Sequence, residues 1–293
     1  MSGLLRIGNA TVARVVETRV AYEPKYLFKQ LPDQHIEQVR EALPSWSIEA
    51  GSQRIYLTFQ SFVIRHGGRT ILVDTCNGNH KNRPDMPRWH QTDFPYLERL
   101  KSAGVHPDEV DVVLCSHLHA DHVGWNTRLD NGRWVPTFRN ARYLVSDVEM
   151  GHWRERHAID PAASVNHGSW QDSVLPVEEA GLLDEVSVDH VLGSCIDTEI
   201  RLEHAPGHTP GQVHLVLSSS SGELIYCADT IHHPLQIADP QYALTDDDPG
   251  AALASRQRLI NRCMHSGATL LPAHFDEAGT IERHLGSARF RSF

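Results

Sequence analysis

Apolar residues recur along the chain in short runs, and these runs predict β-strands. Residues 4–20 alternate weakly between apolar and polar positions, which indicates one or two opening strands. The segments Tyr56–Arg65 and Thr70–Asp74 flank a Gly-Gly turn and predict a hairpin. The run Val110–Cys115 predicts a buried strand. The remaining predicted strands are Thr198–His204, Gln212–Ser218, Glu223–Ala228 and Ala268–Leu271.

Four segments predict helices. One begins near Asp33, a candidate N-cap, and repeats apolar residues on one face. Asp93 is the candidate N-cap of a second helix, Phe94–Ala103, which a glycine ends. The segments Ser146–His157 and Pro249–His265 predict the other two helices.

Length and charge exclude several classes of protein. One large domain is an ordinary arrangement for 293 residues. The net charge of −10 and the lack of clustered Lys and Arg argue against a nucleic-acid partner. There is no apolar signal core near the start and no run of about 18 apolar residues, so we expect a soluble, cytoplasmic protein without membrane partners.

Four possible metal ligands lie within six residues, directly after the predicted strand Val110–Cys115. In an extended chain, residues two apart point the same way, so His117 and His119 can converge on one ion. Asp121 and His122 lie beyond a bend and are able to face a second ion. This is not the helical His pair, four residues apart, of a metalloprotease. A ligand cluster at the end of a strand is where α/β folds place their chemistry.

The cluster resembles the His-x-His-x-Asp-His signature of the metallo-β-lactamase-fold hydrolases, and the other family motifs occur in the expected order. These are Leu72-Val73-Asp74-Thr75, Gly207-His208-Thr209-Pro210-Gly211, Tyr226-Cys227-Ala228-Asp229-Thr230 and Pro272-Ala273-His274. The resemblance covers roughly residues 59–274. It implies an α/β fold, the four-layer αββα sandwich of that family, built from two similar αβ halves.

The resemblance also implies one domain over residues 1–293. Residues 1–50 look like the leading extension of the lactonase and methyl parathion hydrolase branches, which shapes a pocket rim or a dimer contact. Surface decoration is an equal alternative, and a homodimer is left open. Residues 130–200 form an insert whose Trp134, Phe138, Trp153 and Trp170 either line a pocket or pack the insert on the core.

The family pattern assigns a role to each motif residue. His117, His119 and His208 bind one metal ion, Asp121, His122 and His274 bind a second, and Asp229 bridges the two. Asp74 holds the ligand loop rather than a metal. Nitrogen and oxygen ligands suit two divalent ions, Zn²⁺ first and also Mn²⁺, Fe²⁺ or Co²⁺. A bridging carboxylate implies ions ~3.5–4 Å apart that share a hydroxide nucleophile, which Asp121 would orient.

Three departures narrow the function. Flavin-linked diiron oxidases carry Glu where this chain has His119, and two-zinc β-lactamases carry Cys or Ser near the fourth motif, where this chain keeps Asp229. Acyl-homoserine lactonases place a Tyr three residues after the bridging Asp, where this chain has His232. An imidazole is also able to donate a hydrogen bond to a developing oxyanion; the alternative is that His232 packs under the next loop.

We therefore expect a dinuclear metal-dependent hydrolase that cleaves a small-molecule ester or lactone, or an organophosphate ester. A hydrolytic dehalogenase of an activated aromatic is an alternative, and a non-catalytic metal-binding protein is the alternative of another class. His214, inside an apolar strand, is expected to be structural. Cys115 and Cys227 each lie two residues before a ligand and are interpreted as small apolar strand residues, because the cysteine count of five is odd and no Cys-x-x-Cys occurs.

Overall fold

The computed structural model describes residues 4–161, 164–195, 197–243, 246–284 and 286–293. The chain divides into two compact units. The first comprises Met1–Thr18 and Phe59–His190, and the second comprises Arg19–Thr58 and Val191–Phe293. That residues 1–293 form a single domain stays a prediction.

The strands lie at Leu5–Ile7 (β1), Ala10–Tyr22 (β2), Ile55–His66 (β3), Arg69–Val73 (β4), Val112–Leu114 (β5), Thr127–Asp130 (β6), Arg133–Pro136 (β7), Arg142–Ser146 (β8), Leu183–Val186 (β9), Val191–Cys195 (β10), Thr198–His204 (β11), Val213–Ser219 (β12), Gly222–Tyr226 (β13), Thr269–Leu271 (β14), Gly279–His284 (β15) and Ser287–Ser292 (β16). Every strand predicted from the sequence is present, and its observed boundaries differ from the predicted ones by at most two residues.

The α-helices lie at Pro24–Leu27 (α1), His35–Val39 (α2), Tyr96–Ser102 (α3), Ala120–Val123 (α4), Asp147–Ile159 (α5), Leu175–Glu179 (α6), Leu235–Ala238 (α7) and Pro249–Ser266 (α8). Short 3₁₀-helices occupy Arg40–Ala42, Ser45–Ser47, Pro107–Glu109, Gly124–Asn126, Val165–Gly168 and Ala228–Thr230. Residues Trp170–Val174 form a short π-helix. In the part of the chain that the structure describes, none of the helices is long and apolar enough to cross a membrane.

The first unit is organised around a sheet with the strand order β1-β2-β3-β4-β5-β8-β9. The predicted hairpin is confirmed, since β3 and β4 pair antiparallel in the register Val63↔Leu72. From β4 onward the strands run parallel. Parallel strands that are buried on both faces have nearly continuous apolar sequences, which explains why the apolar run Val110–Cys115 predicts a buried strand. Its residues pack into one apolar core with α3, α5 and the insert.

The second unit contains a sheet with the order β10-β11-β12-β13-β14-β15-β16. Its neighbours pair antiparallel, except that β13 and β14 are parallel, in the register Ile225↔Leu270. The amphipathic helix α8 packs its apolar face, including Leu259 and Cys263, into a core with β13, β14 and Phe290.

Two predicted helix caps are wrong. The N-cap of α2 is Gln34, whose φ is 60°, and the carboxylate of Asp33 instead pairs with the ammonium of Lys25. The N-cap of α3 is Pro95, and Asp93 accepts a hydrogen bond from the side chain of Asn79 at 3.1 Å. In both cases the aspartate carboxylate binds another side chain instead of accepting hydrogen bonds from the backbone N–H groups at the start of the helix.

The aromatic residues of the insert pack it on the core. Phe138, Trp153 and Trp170 are at most 5% exposed and belong to the core of the first unit. Trp134 is half-buried, and the ammonium of Lys81 lies 3.6 Å from the centre of its ring. This confirms the packing alternative for these three buried rings.

Candidate metal centre

The carboxyl ends of two adjacent parallel strands carry the residues of the first unit that are predicted to bind or support metal, and a third parallel strand lies beside them. β4, β5 and β8 align in the register Leu72↔Val113↔Tyr143. Because the carboxyl ends of parallel strands meet at one edge of a sheet, the segments that follow these strands lie side by side. These segments carry Asp74, the loop 116–122 and the start of α5.

Asp74 is hydrogen-bonded to both ends of the ligand loop. Its carboxylate accepts hydrogen bonds of 2.7 Å from the backbone N–H and from the hydroxyl of Ser116. Its Oδ2 also lies 2.7 Å from Nδ1 of His122, and both side chains are at most 3% exposed. A carboxylate acceptor keeps a hydrogen on Nδ1 of His122, so Nε2 retains the lone pair that a metal ion needs.

A ring nitrogen of His117 lies close to a ring nitrogen of His119. Ser116 donates its hydroxyl hydrogen to Asp74, so its oxygen is available to accept from Nδ1 of His117 at 3.1 Å. The lone pair of His117 is then on Nε2, which lies 3.1 Å from Nδ1 of His119. Two nitrogens bound to one Zn²⁺ at roughly 2.0–2.1 Å with tetrahedral geometry lie roughly 3.4 Å apart. The observed separation is close to that value.

Asp121 and His122 lie in the short helix α4 that follows. Oδ2 of Asp121 is 3.7 Å from Nε2 of His122, and the Asp121 side chain is 12% exposed. Asp74, His117 and His122 offer nitrogen and oxygen atoms that all lie within 4.8 Å of one another. Cys115 is 1% exposed within the apolar core of the first unit, and burial raises its pKa to about 12, in keeping with its interpretation as a small apolar residue.

In the second unit, three histidines converge on Asp229. Asp229 and His274 follow the parallel strands β13 and β14 and therefore meet at one edge of that sheet. Oδ1 of Asp229 lies 3.1 Å from Nε2 of His274. Oδ2 lies 3.4 Å from Nε2 of His208 and 3.0 Å from Nε2 of His232. The carboxylate is 4% exposed.

The outer nitrogens of two of these histidines are held by oxygen acceptors. Nδ1 of His208 lies 3.0 Å from Oδ1 of Asp246, and Nδ1 of His274 lies 3.1 Å from the carbonyl oxygen of Thr58. Each Nδ1 therefore carries a hydrogen, and each Nε2 directs its lone pair at an electron-rich carboxylate. Lone pairs repel each other unless a cation or a proton lies between them. This donor set fits a divalent metal ion.

Asp246 is itself held by a buried guanidinium. Nη2 of Arg256 lies 3.5 Å from Oδ2 of Asp246, and both side chains are at most 1% exposed. Arg256 also donates to the carbonyl oxygens of Thr230 and Pro240 at 2.8 Å each. Burial alone raises the pKa of Asp246, but the hydrogen bond from His208 and the nearby positive charges outweigh it and leave the pKa below its usual value.

A glycine brings the His208 loop against α8. Gly207 has a φ of 132°, and a Cβ at this position would lie 2.1 Å from the backbone nitrogen of Ala252. The carbonyl oxygen of Gly207 accepts from the backbone N–H of Asp248 at 2.9 Å, directly before α8. Any larger residue would move the His208 loop away from the helix.

His214 is a structural histidine, as predicted. Its Nε2 lies 2.7 Å from the hydroxyl of Thr230, and burial lowers its pKa to about 4. His232 is 1% exposed, and its ring stacks parallel to that of His274 at 5.6 Å between centres. Burial lowers the pKa of His232 despite the adjacent Asp229.

Sequence reasoning missed Asp246, Arg256 and Glu149. Ser146 and Glu149 have the spacing of a capping box, which marks only a helix start. Ser146 does cap α5, by accepting from the backbone N–H of Glu149 at 3.1 Å. The carboxylate of Glu149 accepts from the backbone N–H of Leu118, between two predicted ligands, at 3.0 Å. No local pattern marks the contacts of Asp246 and Arg256.

A family model described as the metallo-beta-lactamase superfamily matches residues 60–274, well over half of the chain. The matched range contains all seven predicted ligands: His117, His119, Asp121, His122, His208, Asp229 and His274.

Relatives and solved structures agree with this match. The N-acyl homoserine lactonase AttM of Azorhizobium caulinodans is 25% identical over 234 residues, which are 74% of this chain and 81% of that protein. The crystal structure of the hydrolase AbOPH, of the β-lactamase superfamily, has a TM-score of 0.79 at 22% identity, and AidC, a dizinc quorum-quenching lactonase, has 0.80 at 18%. Each of these two structural comparisons covers 100% of this chain and 97% of the other chain. The α/β fold predicted from the motifs is confirmed.

Proposed function

Because the chain belongs to the metallo-β-lactamase superfamily and is a metal-dependent hydrolase, we propose that it uses two divalent metal ions to open a lactone or to cleave a small ester. Zn²⁺ is the proposed metal, since histidine nitrogens and carboxylate oxygens suit it best, and Mn²⁺, Fe²⁺ and Co²⁺ suit the same ligands.

The observation that carries this proposal is the fixed orientation of the histidines. His122, His208 and His274 each have Nδ1 against an oxygen acceptor, so each presents Nε2. Neutral histidines with a defined tautomer and buried carboxylates are what a metal site needs, and they give no advantage to a purely apolar core.

The proposed ligand sets follow the family pattern. His117, His119 and His208 would hold one ion, Asp121, His122 and His274 would hold the other, and Asp229 would contribute to both. When bound, the ions would supply Lewis acidity and an activated water molecule. Asp121, the more exposed of the two proposed carboxylate ligands, would accept a hydrogen bond from that water and orient it. His232, kept neutral by burial, would donate a hydrogen bond to the substrate oxygen.

The N-terminal extension is proposed to support the His232 loop. Nε2 of His233 lies 3.1 Å from the carbonyl oxygen of Ser47, within the extension. The ring of Trp46 packs against that of Phe275 at 5.4 Å, immediately after His274. Both contacts lie inside the second unit, and they favour a role for the extension in shaping the pocket rim over mere surface decoration.

The substrate proposal is supported by the relatives and by the charge of the chain. AttM is an N-acyl homoserine lactonase, and AidC is a quorum-quenching lactonase. A net charge of −10 disfavours polyanionic substrates, so a small neutral lactone or ester fits better.

The test is a substrate screen with the metal-loaded protein. Acyl-homoserine lactones, simple lactones, aryl esters, an organophosphate triester and a halogenated aromatic are assayed by proton, chromophore or halide release. We expect hydrolysis of a lactone or ester that Asp229→Ala loses and that the control His214→Ala retains. Halide release without ester or lactone hydrolysis would favour the dehalogenase alternative. Tight metal binding without turnover on any substrate would favour the non-catalytic alternative.

A further inference from the structure

We propose that Glu149 is a positioning residue that sets the metal affinity of the His117/His119 pair by holding the peptide group between them. This inference rests on the proposed function, because it concerns one of the proposed metal-binding pairs. It assigns a task to a buried carboxylate that the ligand set does not use.

The residue between the two histidines is held at both of its backbone polar groups. The N–H of Leu118 donates to Oε1 of Glu149 at 3.0 Å, and the carbonyl oxygen of Leu118 accepts from the side-chain amide of Asn166. In an extended His-x-His segment both rings point from the same face of the backbone. A rotation of the central residue would therefore turn His117 and His119 away from each other.

Glu149 also reaches the second ring through a tryptophan. Its Oε1 accepts from Nε1 of Trp153 at 2.7 Å. The Trp153 ring packs edge-on against His119, with 5.7 Å between the ring centres. One carboxylate oxygen therefore fixes the backbone of the ligand loop and, through Trp153, the face of one histidine ring.

The charge of Glu149 favours a cation at the histidine pair. The Glu149 residue is 0% exposed, and burying a carboxylate is costly unless hydrogen bonds or a nearby positive charge compensate for the lost hydration. A negative charge behind a cation site raises the affinity for the cation, and the low dielectric of the interior strengthens the effect. Outer residues that orient metal ligands typically change metal affinity by roughly 10–100-fold when they are replaced.

The chain offers a closely matched control in Glu17. This glutamate is 1% exposed, and its Oε1 accepts from the backbone N–H of Gly78 at 3.1 Å and from Nε1 of Trp125 at 2.7 Å. It has the same kinds of partner as Glu149, but its backbone partners lie outside the ligand loop. Glu149→Gln and Glu17→Gln therefore make the same chemical change in two buried networks, and only one of these networks touches the ligand loop.

The experiment measures Zn²⁺ affinity by chelator competition, the Co²⁺ absorption spectrum, and the unfolding midpoint of the metal-free protein. We expect Glu149→Gln to weaken one of the two metal equivalents by roughly 10–100-fold and to alter the Co²⁺ spectrum. Glu17→Gln should lower the unfolding midpoint and leave affinity and spectrum as in the wild type. Unchanged affinity in a folded Glu149→Gln protein, with only a lower midpoint, would overturn the proposal.

A second pair of variants covers the case in which Glu149→Gln does not fold. Asn166→Gly removes the amide that binds the Leu118 carbonyl, and glycine tolerates the φ of 50° at this position. His167→Gly is its control, because this neighbour has a φ of 56° and pairs with Asp85 instead. We expect weaker metal binding in Asn166→Gly alone, and equal affinities in the two variants would overturn the proposal.

A wild-type protein that binds no metal would overturn the proposed function and this inference with it. A wild type that binds two metal equivalents, together with an unaffected Glu149→Gln, would overturn only this inference.

Discussion

Removal of Asp246 should leave a buried positive charge without its carboxylate partner. Asp246 lies between Nδ1 of His208 and the guanidinium of Arg256, and the side chains of Asp246 and Arg256 are at most 1% exposed. Asp246→Ala removes both interactions. Asp246→Asn keeps an oxygen that accepts from His208 and removes only the charge.

The structure sets the order of the expected losses. Removing one partner of a buried ion pair costs about 3–5 kcal/mol. The Arg256–Asp246 contact is long, at 3.5 Å, and Arg256 keeps two carbonyl acceptors, so we expect the lower end, about 3 kcal/mol, for Asp246→Ala. Asp246→Asn also leaves Arg256 without a charged partner, but its amide oxygen still accepts from His208, so it should lose about 1 kcal/mol less than Asp246→Ala.

The assay is urea unfolding of the metal-free protein at pH 7, with Arg256→Met and the double variant Asp246→Ala/Arg256→Met completing a cycle. If the loss comes from an uncompensated charge, the double variant should be more stable than the sum of the single losses predicts, by about 1–3 kcal/mol. Strict additivity, or an Asp246→Ala as stable as Asp246→Asn, would refute this reasoning.

Three further predictions concern single side chains. His208→Ala should lose one metal equivalent, whereas His214→Ala should lose stability and keep both, by elemental analysis after dialysis; the reverse result would show that the third motif is wrongly assigned. Burial lowers the pKa of Lys81 in the folded protein to about 7, whereas an unfolded lysine has a pKa of about 10.4. Between these two pH values the unfolded chain binds a proton that the folded chain has released. The free energy of unfolding of the wild type therefore rises with pH in this window. In urea unfolding at pH 7, 8 and 9, the stability of Lys81→Met relative to the wild type should therefore decline, and a constant difference would mean that Lys81 stays charged when folded. His232→Ala, with two ions confirmed bound, should lower turnover on the best substrate by roughly 10²–10³-fold, and unchanged turnover would remove His232 from the reaction.

The candidate ligands that lie close together in the chain are the ones that the sequence predicts most completely. His117, His119, Asp121 and His122 lie in one short segment after an apolar run, so strand, loop and candidate ligands were all readable from neighbouring residues. His214 was separable from the ligands because it stands inside an apolar strand. The packing of the insert's tryptophans was not decidable, since a ring that lines a pocket and a ring in the core have the same local sequence.

The residues that orient the ligands were not predictable, because their contacts are long-range. The acceptor for Nδ1 of His274 is the carbonyl of Thr58, 216 residues away in the chain, and every residue has a carbonyl. Asp246 lies 38 residues from His208. The two wrong helix caps failed for a related reason: Asp33 and Asp93 had side-chain partners that the local pattern did not reveal.

The central claim, two metal ions held in part by Asp229, is tested most directly by metal stoichiometry. The measurement is elemental analysis combined with native mass spectrometry on wild type and Asp229→Ala after mild dialysis, with activity followed on the same samples. The wild type should hold two equivalents, and Asp229→Ala should hold fewer and lose most of its activity, because both proposed sites lose a charged ligand. One reproducible equivalent in fully active wild type, or two equivalents retained by Asp229→Ala, would contradict the proposed centre.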